Sequence, residues 1–188
     1  MRYLIDANIF IQSANDFYRF SVVPGFWDWL LRQHHEGVAF TLSDVRGEID
    51  RGIMADDPVQ QWFKTLPPTF FLPPDDRVGP SNVVITKWTN ENTHFTPRAK
   101  EVFLASVDYK LIAYAKAFGD TVITFEASEP DRKNKVKIPD ACKALDVPCI
   151  RIWDMMSARN ACFTLTANEK NQPFKLSYVE EGRRPATA

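Results

Sequence analysis

Cysteine and histidine are scarce, which limits the metal sites that this chain could form. The 188 residues include three cysteines and three histidines, and their spacing does not match that of zinc ligands. Zinc is therefore not expected. An odd number of cysteines, Cys142, Cys149 and Cys162, is typical of reduced thiols, so we expect a protein of the cytoplasm.

Long apolar runs are also missing, as is a strong excess of either charge. No apolar run approaches the length of a membrane span, and the first one is broken at once by Asp6 and Asn8, unlike a signal peptide. We therefore expect no membrane partner. The formal net charge of −1 argues against capture of nucleic acid by the whole surface, although it leaves room for a local basic strip.

Short β-forming segments alternate with helical patterns along the chain. The predicted strands are Tyr3 to Ile5, Val38 to Leu42, a short edge strand around Phe70 to Leu72, Thr121 to Phe125, and Val147 to Ile152. This order predicts an α/β protein with a central, mainly parallel sheet flanked by helices. In such sheets, ligands bind outside the carboxyl ends of the strands.

Two acidic residues follow predicted strands directly. Asp6 ends the first strand and Glu126 follows the strand that begins at Thr121. Both side chains are therefore expected at the rim of the crevice. For Asp6 an equally simple interpretation is a cap on the helix that follows, a common role of aspartate.

Two further acidic residues lie on predicted helices. Glu48 is placed beside the inward face of a helix that begins after Ser43. Asp108 falls on an apolar stripe between Leu104 and Ile112, where an unpaired carboxylate is costly to bury. The alternative is that the helix breaks there and Ser106 caps a new one, with Asp108 in its first turn.

We expect the four carboxylates to share one location. Carboxylates brought close together raise one another's pKa unless a cation holds them. Oxygen ligands without histidine or cysteine suit Mg²⁺ or Mn²⁺. Such an ion can activate water for displacement at phosphorus.

Seven segments, in order, resemble a known family. They are YLIDANIFI, PGFWDWL, SDVRGEI, FFLPPD, FLASVDYKLIAYAKAFG, VITFE and VKIPDACKALDVPCI, and they run over about residues 3 to 155. The set resembles the PIN-domain ribonucleases, and most closely a bacterial subfamily found in toxin–antitoxin pairs. The resemblance implies a PIN-like, Rossmannoid three-layer fold and an acidic Mg²⁺- or Mn²⁺-dependent site that cuts RNA.

The resemblance also assigns roles to particular residues. It implies that the metal ligands and catalytic residues are Asp6, Glu48, Asp108 and Glu126, supported by Asn8 and Thr124. Many relatives have a Thr-Asn-Asp sequence where this chain has Thr124-Phe125-Glu126, which puts a second metal position in question. Asp140 is a further candidate, or a first-turn acid of its own helix.

A basic loop follows Glu126. Its cations Arg132, Lys133 and Lys135 are candidates for contact with the RNA backbone, and the alternative is an ordinary solvated loop. The predicted domain is a nuclease domain over 1–159. Residues 160–188 form an extension that ends in a frayed tail. Its two β-forming segments are interpreted as a hairpin or as an addition to the sheet edge, and its role is open.

Three classes of function remain at this point. The leading hypothesis is a metal-dependent endoribonuclease, the toxin of a type II pair, with RNA, an antitoxin and a second copy of the chain as partners. The second is a non-catalytic PIN-fold module that binds RNA or protein. The third is a phosphatase of the haloacid dehalogenase type or a phospho-acceptor receiver. It is disfavoured because Asp6-Ala7-Asn8 lacks a second carboxylate and no paired acids precede a phospho-acceptor.

Overall fold

A computed structural model describes residues 1–52, 57–166 and 175–178. Its main sheet has five parallel strands, β1 (Tyr3–Ile5), β2 (Ala39–Leu42), β3 (Phe71–Leu72), β4 (Thr121–Ile123) and β5 (Cys149–Ile150). Their order across the sheet is β3-β2-β1-β4-β5. The strand that carries Asp6 is therefore central.

Helices cover the sheet and confirm the predicted α/β class with its three-layer, Rossmann-like arrangement. Within the described residues they are α1 (Ala7–Gln12), α2 (Pro24–His35), α3 (Ser43–Gly52), α4 (Pro58–Thr65), α5 (Gly79–Glu91), α6 (Pro97–Leu104), α7 (Val107–Phe118), α8 (Ile138–Ala144) and α9 (Ile152–Ala158). None of the helices in this part of the chain has the length and apolar character that crossing a membrane requires.

The central strands are apolar on both faces, because helices pack on both faces of a parallel sheet. All three residues of β1 are buried, and Leu4 pairs with Phe40 of β2 on one side and Val122 of β4 on the other. Aromatic side chains such as Phe10 and Phe63, whose ring centroids lie 4.9 Å apart, fill the space between helices and sheet. This packing fixes the carboxyl ends of β1 and β4 next to each other.

The helical region around Asp108 is broken, as the alternative interpretation proposed. α6 ends at Leu104, and the Ser106 hydroxyl accepts a hydrogen bond of 3.2 Å from the Tyr109 N–H at the start of α7. Asp108 lies in the first turn of α7. The start of α7 therefore orients this carboxylate, and Leu104 belongs to the preceding helix α6.

Four of the five predicted strands are shorter in the structure than predicted. The predicted edge strand is confirmed as β3, but it is limited to Phe71–Leu72, because Phe70 ends a 3-10 turn. The strand predicted over Val147 to Ile152 is reduced to Cys149–Ile150, because Ile152 already begins α9. The strand predicted over Thr121 to Phe125 ends at Ile123, and the one predicted over Val38 to Leu42 begins at Ala39.

The predicted hairpin beyond residue 160 is present. β6 (Phe163–Thr166) pairs antiparallel with β7 (Lys175–Tyr178), and β7 lies against α2. The predicted frayed tail falls outside the described residues. The boundary of the domain at residue 159 stays a prediction.

Gly119 follows the last residue of α7 with a left-handed backbone, φ +68°. We expect Gly119→Ala to lower the free energy of unfolding by about 1 kcal/mol, because a side chain disfavours this conformation. Its Cβ would meet nothing within 4 Å, so the backbone alone sets the effect. Urea denaturation measures it.

The matched control for this change is Gly47→Ala within α3. The same substitution there should raise the free energy of unfolding by up to about 1 kcal/mol, because alanine favours a helix interior. The new Cβ would approach only the flexible end of the Arg51 side chain, at 3.4 Å. Equal effects at the two glycines would contradict this account.

Candidate functional site

Asp6 lies at the carboxyl end of the central strand and is only 5% exposed. Its N–H donates to the Ile123 carbonyl at 3.0 Å, which continues the pairing of β1 with β4. Although it precedes α1, its side chain makes no capping bond; Oδ2 instead accepts a hydrogen bond of 2.8 Å from the Thr124 hydroxyl. The capping interpretation of Asp6 was therefore wrong.

The Thr124 hydroxyl is held by three neighbours. It donates its one proton to Asp6, and it accepts from the Asn8 amide at 2.9 Å and from the Glu126 N–H at 3.0 Å. The Asn8 carbonyl oxygen accepts in turn from the Phe125 N–H at 3.0 Å. The predicted supporting residues Asn8 and Thr124 thus fix the orientation of the Asp6 carboxylate and tie the start of α1 to the end of β4.

The structure brings the four predicted acids within electrostatic range of one another. The pKa of Asp6 is raised to about 8, chiefly by burial and then by the charges of Asp108, Glu126 and Glu48, and against the hydrogen bond from Thr124. Burial also raises the pKa of Asp108 to about 6, with Glu126 and Glu48 adding to the effect and Lys135 opposing it. Glu48 is the exposed member of the group. These acids therefore face one region near the carboxyl ends of the central strands.

Glu126 differs from the other three because basic groups already surround it. Its carboxylate accepts from Lys135 at 2.7 Å, from Lys137 at 3.4 Å and from the Ile138 N–H at 3.0 Å. Burial alone would raise the pKa of Glu126, but the hydrogen bonds from Lys135 and Ile138 bring it below its usual value. The carboxylate is engaged in holding the basic loop.

The predicted basic loop is tied to the fold by hydrogen bonds, while its residues Lys133 and Lys135 are exposed to solvent. Arg132 donates to Glu129 at 2.8 Å, and the Lys133 carbonyl accepts from the Thr96 N–H at 2.9 Å. Asp140 lies in the first turn of α8 and accepts from Ser128 and, at 2.9 Å, from the Glu129 N–H. The Asp140 carboxylate therefore points toward this loop and holds it in place.

The oxygen ligands of the site suit a hard divalent cation, but the side chains that carry them stand apart from one another. Within residues 1–52, 57–166 and 175–178, no three acidic, histidine or cysteine side chains stand close enough together to coordinate a metal ion. The oxygen ligands of Asp6, Asp108 and Glu48 suit Mg²⁺ or Mn²⁺, and the raised pKa values of Asp6 and Asp108 are what a nearby cation would reverse. Glu126 fits less well, because its lysine partners occupy it.

Sequence comparison places the chain in one family. The chain belongs to the family described as a domain of unknown function, DUF4411, whose sequence model matches residues 3–163. The match covers all of the acids described above and both strands that position them. No curated protein matches the sequence.

The pKa of Asp6 predicts how the metal-free protein responds to pH. The folded state keeps the Asp6 proton up to about pH 8, whereas the unfolded chain releases it near its ordinary pKa of about 4. Raising the pH through this window therefore destabilises the fold. In EDTA at pH 8 we expect Asp6→Asn to raise the free energy of unfolding by about 2 kcal/mol. For a chain of this size, that corresponds to a rise in Tm of about 4–8 °C.

An amide at position 6 can still accept the Thr124 hydroxyl, so the change removes charge and little else. Asp28→Asn on the exposed side of α2 is the control and should leave the Tm unchanged. The two variants are compared by circular dichroism at pH 5 and pH 8. A lower Tm for Asp6→Asn at pH 8 would show that the carboxylate charge is stabilising there.

Proposed function

We propose that this protein is a divalent-metal-dependent endoribonuclease that hydrolyses RNA phosphodiester bonds. The observation that carries the proposal is the pair of carboxylates formed by Asp6, which is buried, and Asp108, which is partly buried, near the carboxyl ends of the central strands. Within the described residues no lysine or arginine forms an ion pair with Asp6, and its pKa is raised to about 8. A bound cation is the simplest partner for such a pair.

A comparison within the chain supports this interpretation. Asp120 is as buried as Asp6, at 3% exposure, but it lies before β4 and is bound by both Arg2 Nε, at 2.9 Å, and Arg2 Nη2, at 2.7 Å. The fold thus supplies a cation for a buried carboxylate at the amino end of the strand. Among the residues that the structure describes, the Asp6 carboxylate, at the opposite end, accepts a hydrogen bond only from the Thr124 hydroxyl.

Asp6, Asp108 and Glu48 would hold the ion. When bound, Mg²⁺ or Mn²⁺ supplies a nucleophilic water of lowered pKa and charge stabilisation at phosphorus. Thr124 and Asn8 keep the Asp6 carboxylate in one orientation. Lys135, whose charge already acts on Asp108, would attract the phosphate backbone of the substrate.

Glu126 takes a different role in this proposal from the one that the resemblance implied. Its bonds to Lys135, Lys137 and the Ile138 N–H position the basic loop beside the other acids. Glu126 is therefore proposed as a positioning residue. It becomes a metal ligand only if the lysines release it.

The biological setting is proposed from the resemblance to PIN-domain ribonucleases of toxin–antitoxin pairs. The protein would be the toxin of a type II pair, in the cytoplasm, with RNA as substrate. A cognate antitoxin and a second copy of the chain are the proposed protein partners. Cells that tolerate the protein only when a neighbouring gene is expressed would carry such an antitoxin.

A second candidate is a non-catalytic PIN-fold module that binds RNA or protein. It is favoured by the engagement of Glu126 and by the lack, among the described residues, of three ligands already in place for a metal. This candidate predicts RNA binding without cleavage. The experiment below separates the two.

We expect the purified protein to cleave single-stranded RNA in Mn²⁺ and to lose this activity in EDTA. Asp6→Asn and Asp108→Asn should each reduce the cleavage rate by more than about 100-fold, since even residues that only support metal ligands typically cost 10- to 100-fold. The measurement is the rate of product formation from an end-labelled RNA on denaturing gels.

Asp28→Asn, the same substitution at an exposed position, should cleave at the wild-type rate. Cleavage by Asp6→Asn equal to that of the wild type would remove the assignment. RNA left intact by a folded wild-type protein that binds it would favour the non-catalytic module.

A further inference from the structure

A groove of about 290 Å³ opens beside Asp108, between α6 and the basic loop. We call it the α6–loop groove and define it by Arg98, Val102, Phe103, Asp108, Arg132 and Lys135. Asp108 is the one of these residues that also belongs to the four predicted site acids. A ligand in this groove would therefore lie next to the proposed metal position.

The two walls of the α6–loop groove are fastened to each other. Thr96 caps α6 by accepting the Ala99 N–H at 3.2 Å, and its own N–H donates to the Lys133 carbonyl at 2.9 Å. On the other side, Lys135 is tied to Glu126. The groove is therefore a built feature of the fold.

Cationic side chains line both walls of the groove. Arg98 binds Glu101 at 2.9 Å, with both side chains at least 70% exposed. Arg132 binds Glu129 at 2.8 Å and is 38% exposed. Exposed ion pairs contribute little net stability, so these arginines can exchange a carboxylate for another anion without loss to the fold.

The remainder of the lining is apolar. Val102 on α6 is 50% exposed, while Phe103 beside it is buried. A simple anion would contact only the cationic side chains, whereas a nucleotide can contact them with its phosphate and the apolar surface with its base. The volume lies at the lower end of small-molecule sites, about 300 Å³, so it suits one nucleotide of a flexible strand better than a duplex.

We propose that the α6–loop groove binds the nucleotide next to the scissile phosphate of a single-stranded RNA. Arg98 and Arg132 contact the phosphate oxygens, and Val102 contacts the base or ribose. This inference rests on the proposed ribonuclease function and adds α6 to the substrate-binding surface. Arg98 and Val102 become residues that position the RNA strand relative to Asp108.

The test measures binding separately from cleavage. A fluorescein-labelled single-stranded RNA of about 12 nucleotides is titrated with the full chain in EDTA, and the Kd is followed by anisotropy over a range of salt concentrations. We expect Arg98→Ala to weaken binding and to lower the slope of log K against log salt by about 0.7, the loss of one phosphate contact.

Each variant has a matched control elsewhere on the surface. Arg77→Ala removes an equally exposed arginine that is also paired with a carboxylate, Asp75, and it should leave the Kd and salt slope unchanged. Val102→Asp should weaken binding more than Val83→Asp, which places the same charge on an exposed valine of α5. Circular dichroism confirms that the variants are folded.

The outcomes distinguish this inference from the proposed function. Cleavage by the wild type, together with equal binding by Arg98→Ala and Arg77→Ala, would overturn the groove assignment alone. Binding weakened at Arg98 and Val102, without cleavage by the wild type, would support the groove and overturn the nuclease. Binding of a polyglutamate peptide but not of RNA would overturn the nucleotide assignment and indicate an acidic protein partner.

Discussion

The burial of the Asp6 carboxylate, beside the partly buried Asp108, is the constraint on which the functional interpretation depends. Asp6 and Asp108 come from elements about a hundred residues apart. Burial raises the pKa of both carboxyl groups, and the charge of Asp108 adds to the rise at Asp6. A fold that places such a pair together must either protonate one of them or supply a cation. Elsewhere the same fold neutralises buried Asp120 with Arg2, which shows that an internal ion pair was available as a solution.

The structure around the pair keeps it in place without neutralising Asp6. Thr124 and Asn8 link the carboxyl ends of β1 and β4 and hold one oxygen of Asp6. The Glu126 carboxylate binds Lys135 and Lys137, and these lysines form part of a basic surface beside the acids. An acidic centre flanked by cations is the charge distribution that a phosphodiester substrate and a metal ion together require.

Much of this arrangement could be predicted from local patterns. A buried strand that runs into Asp6 and a helix capped by Ser106 just before Asp108 were both readable from residue order. The contacts of Glu126 were not readable, because its partners lie 9 and 11 residues away and meet it only through the path of the loop. The side-chain partner of Asp6 was missed for a similar reason: capping is a local rule, and Thr124 lies 118 residues away.

Anomalous diffraction from crystals soaked in Mn²⁺ tests the central claim most directly. The account predicts one Mn²⁺ peak at the carboxyl end of β1, within about 2.0–2.6 Å of oxygens from both Asp6 and Asp108. Wild-type crystals with no Mn²⁺ at this edge of the sheet, or with the ion bound only to exposed carboxylates elsewhere, would contradict it.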